Sequence, residues 1–376
     1  MHQLLDALDD PGRCASLDDA GWDRLVRCAR AARLLGSLSA RLSASGVADR
    51  VPEAPARHLR AAMAEAKYLR QMSLRQLALI AETLRPLAVT VVALKGSAYI
   101  LGGLSCAQGR LPRDIDLLVP RHRLDEVEQA LGRAGWTATK SDAYDQRYYR
   151  DWSHELPPMR APSLPLELDI HHAILPPIGR LKPDSGQLIG NSVAVPDSFY
   201  RLLRPADLLL HAAVHLFQDS DCVDRLRDLV DIDALAREFA HRDGDRFWGE
   251  VLESSARHGL GRPLWYALGF ARGWMRTPVP DEVTARVAAE APPLLCRSFL
   301  PRLAARVLGP VDPDREASNS ERAAAAALSF RALWLRMPPW TLAYHAANRF
   351  IRERRRVRGR SIDQADPETN GEGRRA

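Results

Sequence analysis

No stretch of this 376-residue chain approaches 18 uninterrupted apolar residues, so no membrane-crossing helix is expected. The opening residues, Met1-His2-Gln3-Leu4-Leu5-Asp6, lack the basic and apolar regions of a secretory signal. Cysteine is scarce and scattered. The five, Cys14, Cys28, Cys106, Cys222 and Cys296, form no Cys-x-x-Cys pair, and an odd number cannot all be bridged within one chain. A reducing cytoplasm is the compartment these absences favour. Excess charge is also missing from most of the chain. The net charge is +6, and residues 349–360 account for it, with Arg349, Arg352, Arg354, Arg355, Arg356, Arg358 and Arg360 against Glu353 alone. An even basic footprint is therefore absent, which argues against a nucleic-acid partner, although the basic segment could touch RNA or make weak contact with an anionic lipid surface.

What is present is a globular pattern, 46% hydrophobic, with room for two or three packed units and no internal repeat. Residues 1–88 read as an N-terminal helical region. Trp22, Leu25, Val26 and Ala29, then Leu34, Leu35 and Leu38, recur at helical spacing, and a long amphipathic helix is expected from Pro55 to Leu84. Residues 89–196 read as a mixed unit of strands and helices, including a helix near 122–134 that Gly135 ends. Proline-rich loops at 157–165 and 176–183 flank an acidic strand inside it. Residues 197–308 return to a helical pattern. Residues 309–358 read as a linker and a basic helical segment interrupted at Pro338-Pro339, and 359–376 as a disordered tail.

The chemistry concentrates in three short runs. Val91-Val92-Ala93-Leu94-Lys95-Gly96-Ser97 reads as a buried strand ending in a Gly-Ser turn, and Asp114-Ile115-Asp116-Leu117-Leu118-Val119 as a second strand. Side chains alternate along a strand, so Asp114 and Asp116 leave the same face with bases about 7 Å apart. Two carboxylates held this way repel unless a cation lies between them, and an oxygen-only donor set suits Mg²⁺. The third run, Leu166-Glu167-Leu168-Asp169-Ile170-His171-His172, alternates apolar and polar residues as a half-buried strand does. Its Asp169 or Glu167 can supply a third carboxylate, and His171 points to the same side, His172 to the other.

Together these runs resemble the nucleotidyltransferase fold of the DNA polymerase beta superfamily. The wording is closest to a poorly characterised bacterial branch that reads Leu-Lys-Gly, then Arg, then Asp-x-Asp-Leu-Leu-Val, then an acid-x-His strand. The resemblance extends through Leu203–Leu216 and Arg225–Asp231 and covers about residues 55–300. It departs from the pattern in a longer Ser97–Asp114 stretch and in Asp169 where Glu is frequent. What it implies is an α+β fold, a mixed sheet with helices flanked by N- and C-terminal helical regions. It further implies an enzyme that moves a nucleoside monophosphate from a triphosphate such as ATP to a hydroxyl-bearing acceptor under Mg²⁺. Asp114 and Asp116 would be ligands shared by two ions, and Asp169 a ligand and base favoured over Glu167 by the acid-x-His pattern. Gly96 and Ser97 could approach phosphate through backbone N–H groups or form an ordinary strand-to-helix turn. Lys95 and Arg110 could grip the triphosphate or pair structurally with the aspartates. A small metabolite, a saccharide, a peptide or a protein side chain could be the acceptor. Rival readings are a non-catalytic binding protein of the same fold and an RNA-modifying transferase.

Two downstream patterns carry less. His211 and His215 share a helix face, but Ala212 replaces the Glu that a zinc protease needs, leaving a structural or acceptor-pocket role with Asp228 or Asp231 as partner. Asp231 and Asp233 form another Asp-x-Asp, yet on a helix positions i and i+2 diverge by about 200°.

Overall fold

Val91, Val92, Ala93 and Leu94 are 1% exposed or less, and this apolar run seeds the centre of the sheet. The computed structural model describes residues 3–140, 142–310 and 312–344; the arginine cluster at 349–360 and the expected tail at 359–376 lie outside the described residues.

Among the described residues four α-helices precede the sheet: α1 (Gln3–Asp9), α2 (Asp19–Ala31), α3 (Leu35–Ala44) and α4 (Glu53–Leu84). Asp18 caps α2 by accepting from the Gly21 N–H at 2.8 Å, and Trp22, Leu25, Val26 and Ala29 form its buried stripe. The long helix α4 lies within two residues of its expected start and ends at its expected Leu84. Its Gln76 side chain donates to the Leu166 carbonyl at 2.8 Å, tying the helix to the acidic strand.

The mixed unit then runs β1 (Val92–Ala93), α5 (Lys95–Leu101), β2 (Asp114–Leu118), α6 (Leu124–Arg133), β3 (Thr137–Ala138), α7 (Ala143–Arg147), β4 (Met159–Arg160), β5 (Glu167–His171), α8 (Ser185–Gly190), β6 (Val193–Ala194) and β7 (Arg201–Leu202). The sheet order is β3-β4-β5-β2-β1-β7-β6. β2 and β5 pair in parallel with Asp114 opposite Glu167 and Asp116 opposite Asp169, while β1 runs antiparallel to β2 and parallel to β7. Parallel strands joined through long crossovers and antiparallel edges make this an α+β mixed sheet.

Helices follow: α9 (Pro205–Val214), α10 (Leu226–Asp243), α11 (Asp245–His258), α12 (Gly261–Met275), α13 (Asp281–Ala288), α14 (Leu294–Leu308) and α15 (Asn319–Arg336). A capping box between Ser318 and Glu321 starts α15, which stops before Pro338 because proline cannot continue a helix. Arg331 of α15 donates to the Phe217 carbonyl at 2.9 Å, and the Arg180 guanidinium lies 4.4 Å from the Trp334 ring centroid. These contacts seat α15 where its last residue, Arg336, reaches the cavity described below. One apolar core is contiguous from Leu4 to Leu328. Among the described residues no helix is long and apolar enough to cross a membrane.

Candidate active site

The Leu94 N–H donates to the Asp116 carbonyl at 3.0 Å, so the chain leaves β1 directly beside Asp116. Lys95 follows with φ of +43°, a left-handed conformation that costs a non-glycine residue roughly 1–2 kcal/mol and recurs at functional positions. Its Nζ lies 2.7 Å from Asp116 Oδ1. Across the β2–β5 ladder, His171 Nε2 meets the same oxygen at 3.0 Å. Both contacts use Oδ1, and neither occupies Oδ2. Burial alone would raise the Asp116 pKa, but Lys95 and His171 outweigh it and hold the carboxyl well below its usual range.

The other two predicted acids are held the opposite way. Asp116 beside it, then burial, pushes Asp114 up. Burial, then Asp116 and Glu155, pushes Asp169 up to about 8, and Asp169 Oδ1 is buried without a hydrogen-bond partner. Glu167 shares the strand face of Asp169 but turns to Arg160 Nε at 2.8 Å. One carboxylate is thus firmly ionised and its two neighbours are resisted by it, the situation a divalent cation relieves.

A cavity of about 230 Å³ opens onto this cluster, lined by Lys95, Arg110, Asp114 and Asp169 of the sequence-predicted residues. Gly96 and Ser97 form no part of its wall. They belong to the first turn of α5 rather than to a free turn, and Ser97 is 2% exposed. Arg110 is also engaged: its Nε lies 3.0 Å from Asp231 Oδ2, and its guanidinium stacks 5.5 Å from the Tyr99 centroid. A Cβ at Gly96 would stand 2.5 Å from Arg110 Nη1, so the glycine makes room for this arginine. Asp233 turns away from Asp231, to Arg237 and Thr277, each at 2.7 Å.

Several lining residues were not legible in the sequence. His154 and Glu155 reach the cluster from the segment before β4, through a single bridge between Glu155 and His171. Among the described residues, five-residue π-helical turns at Tyr148–Trp152 and His215–Asp219 contribute Tyr148 and Asp219, together with His215, for which the sequence had left a pocket role open, and such widened turns recur at functional sites. Arg225 and Arg227 come from the start of α10, and Arg336 from the end of α15. Helix packing delivers these groups, and no local pattern announces it. His215 lies between Asp219 and Asp228, at 3.8 and 3.9 Å.

Residues 18–276 match the family described as uncharacterised nucleotidyltransferase. The chain belongs to that family. No curated protein matches it. The family segment holds the whole acidic cluster and α10, whereas Arg336 enters the cavity from beyond its end. Members of a nucleotidyltransferase family act on nucleotide phosphates, and the mixture of carboxylates and guanidinium groups in this cavity has the chemistry to meet metal ions and phosphate oxygens together.

This member of the nucleotidyltransferase family also carries buried neutral histidines. Burial, reinforced by Lys95 and His171, lowers the His211 pKa to about 3. The unfolded chain therefore binds more protons than the folded one between about pH 6.5 and 3, and stability falls as pH falls through that window. By this linkage His211 alone removes roughly 2 kcal/mol at pH 5 relative to pH 8. The melting temperature is expected to drop accordingly, and His211→Gln should flatten the slope; an unchanged slope would refute the assignment.

Proposed function

We propose that this chain transfers a nucleoside monophosphate from a nucleoside triphosphate to a hydroxyl-bearing acceptor and releases pyrophosphate. The observation that carries this reading is the placement of Asp114, Asp116 and Asp169 on one face of two adjacent parallel strands, within a chain of nucleotidyltransferase family. The donor set fits Mg²⁺. It is all oxygen, one Asp169 oxygen is buried without a partner, and Asp116 Oδ2 is not used by Lys95 or His171. Bound by these three acids, two Mg²⁺ ions would supply charge neutralisation and alignment of the attacking hydroxyl.

The chain's own residues do the rest. At about 230 Å³ the cavity is smaller than the roughly 300–1,000 Å³ of whole small-molecule sites, so it suits the phosphates, with the base and acceptor lying further out. Arg227 is a cation that burial, then Arg110, makes easier to deprotonate, and an arriving phosphate would offset that strain. Lys95, whose Nζ lies 2.7 Å from Asp116 Oδ1 and which lines the cavity, would be the ammonium group nearest an incoming phosphate oxygen, while Asp116 would help hold the ions. Asp169, opposite Asp116 on the neighbouring strand, would be placed to receive the acceptor's hydroxyl proton once a bound cation keeps its carboxyl ionised. Arg336 and the π-turn residues Tyr148, His215 and Asp219 complete the wall of the same cavity.

Pyrophosphate release with each of the four ribonucleoside triphosphates, with and without Mg²⁺ and with a panel of hydroxyl acceptors, tests this. Release that needs Mg²⁺ and one triphosphate is the expected result. Metal-dependent nucleotide binding with no release across the panel, including no self-labelling of the protein, would favour the non-catalytic alternative.

A further inference from the structure

Beside the all-oxygen cluster stands a second group of different chemistry. His154, Glu155 and His171 each offer a ligand atom, and these atoms lie within 4.8 Å of one another. His171 is 1% exposed and His154 8%, and the Nδ1 atom of each is buried without a hydrogen-bond partner. Two orphaned imidazole nitrogens in one place are costly unless something binds them. His171 Nδ1 stands 3.5 Å from Glu155 Oε2, too long for a hydrogen bond. That is close to the ~3.4 Å edge between two ligands of a tetrahedral ion with bonds of about 2.0–2.1 Å.

The far side of His171 completes the pattern. The Asp116 carboxylate oxygen accepts in the 3.0 Å contact, so a hydrogen sits on His171 Nε2 and Nδ1 is the nitrogen turned towards Glu155. A carboxylate holding the outer nitrogen of a histidine in this way is the arrangement that orients metal-ligating imidazoles. The Asp219 carboxylate lies on the Nε2 side of the His154 ring at 3.9 Å, beyond hydrogen-bond reach. Backbone bonds fix both: the His172 N–H donates to the His154 carbonyl at 2.8 Å, and the Leu156 N–H to the Ile170 carbonyl at 2.8 Å.

We propose that His154, Glu155 and His171 form a binding site for a first-row transition-metal ion, zinc above all, distinct from the Mg²⁺ positions at the three aspartates. Imidazole nitrogen selects zinc over magnesium, and a two-histidine, one-carboxylate set leaves a fourth position for water or a substrate oxygen. His154 and Glu155 line the same cavity as Asp114 and Asp169, so an ion held by them would border the phosphate site. The ion would also lock His171 in the tautomer that donates to Asp116.

The test uses Co²⁺ as a spectroscopic stand-in on the full chain after chelator treatment and dialysis. The expected result is one equivalent of Co²⁺ with visible ligand-field bands, displaced by Zn²⁺ and resistant to a large excess of Mg²⁺. Glu155→Gln and His154→Ala should each weaken binding by more than about 100-fold, whereas Asp114→Asn should leave the spectrum intact. Glu155→Gln preserves shape, so a folded variant is at hand even where His154→Ala unfolds. Absence of bands in the wild type, bands that survive both substitutions, or displacement by Mg²⁺ would each overturn the site. The readout contains no nucleotide and no turnover, so its failure leaves the transferase reading untouched, and the reverse holds as well.

Discussion

Asp114→Asn is expected to reduce pyrophosphate release by about a thousandfold or more, the loss that follows when a charge-stabilising group worth several kcal/mol is removed from a phosphoryl-transfer site. The same substitution should not lower the melting temperature of the metal-free protein. Asp116 pushes the Asp114 carboxyl up, so in the absence of cations the Asp114 charge opposes the fold, and its removal relieves that repulsion. Asp116→Asn should be equally inactive for a different reason and with a different signature. Asp116 is 1% exposed and receives both Lys95 and His171, so its loss takes the paired carboxylate from the Lys95 ammonium, whose side chain is 19% exposed. Breaking one side of such a pair costs about 3–5 kcal/mol. The two variants together separate chemistry from stability: inactive and at least as stable for Asp114, inactive and destabilised for Asp116. An Asp114→Asn protein that kept turnover within tenfold of wild type would remove this residue from the mechanism.

The aspartates were legible because strand periodicity is local. Leu166, Leu168 and Ile170 alternating with Glu167, Asp169 and His171 specify a face, and the pairing of β2 with β5 then brings Asp169 beside Asp116. The choice of Asp169 over Glu167 rested on a family pattern; the structure adds that Glu167 is occupied by Arg160 and that Asp169 keeps an orphaned oxygen. The outer strands β3, β4, β6 and β7 are two residues each, too short to carry a period. His154 and Glu155 precede a proline-rich loop and gain their place only from one bridge to His171. Arg110 and its partner Asp231 are separated by 121 positions, and α15 brings Arg336 to the cavity from outside the family segment. Such groups are placed by the packing of helices on the sheet, which local sequence does not encode.

Arg110→Met should destabilise the fold by about 3–5 kcal/mol, seen as a large fall in the denaturant midpoint. Arg110 and Asp231 are 8% and 5% exposed, joined at 3.0 Å. Burial disfavours the Arg110 charge, yet Asp231 and neighbouring groups outweigh it and hold the guanidinium protonated; on Asp231 burial wins and the carboxyl is pushed up. Removing the arginine strands that carboxyl in a low-dielectric setting, and it also empties the space that Gly96 keeps open. Asp231→Leu should cost a similar amount. Arg110→Met with Asp231→Leu should cost clearly less than the sum, because two apolar groups leave no uncompensated charge behind. Should Arg110 instead serve the triphosphate alone, Arg110→Met would leave the midpoint near wild type and lower only turnover. Should it do both, the double variant would recover stability while remaining inactive, since a methionine cannot hold two phosphate oxygens.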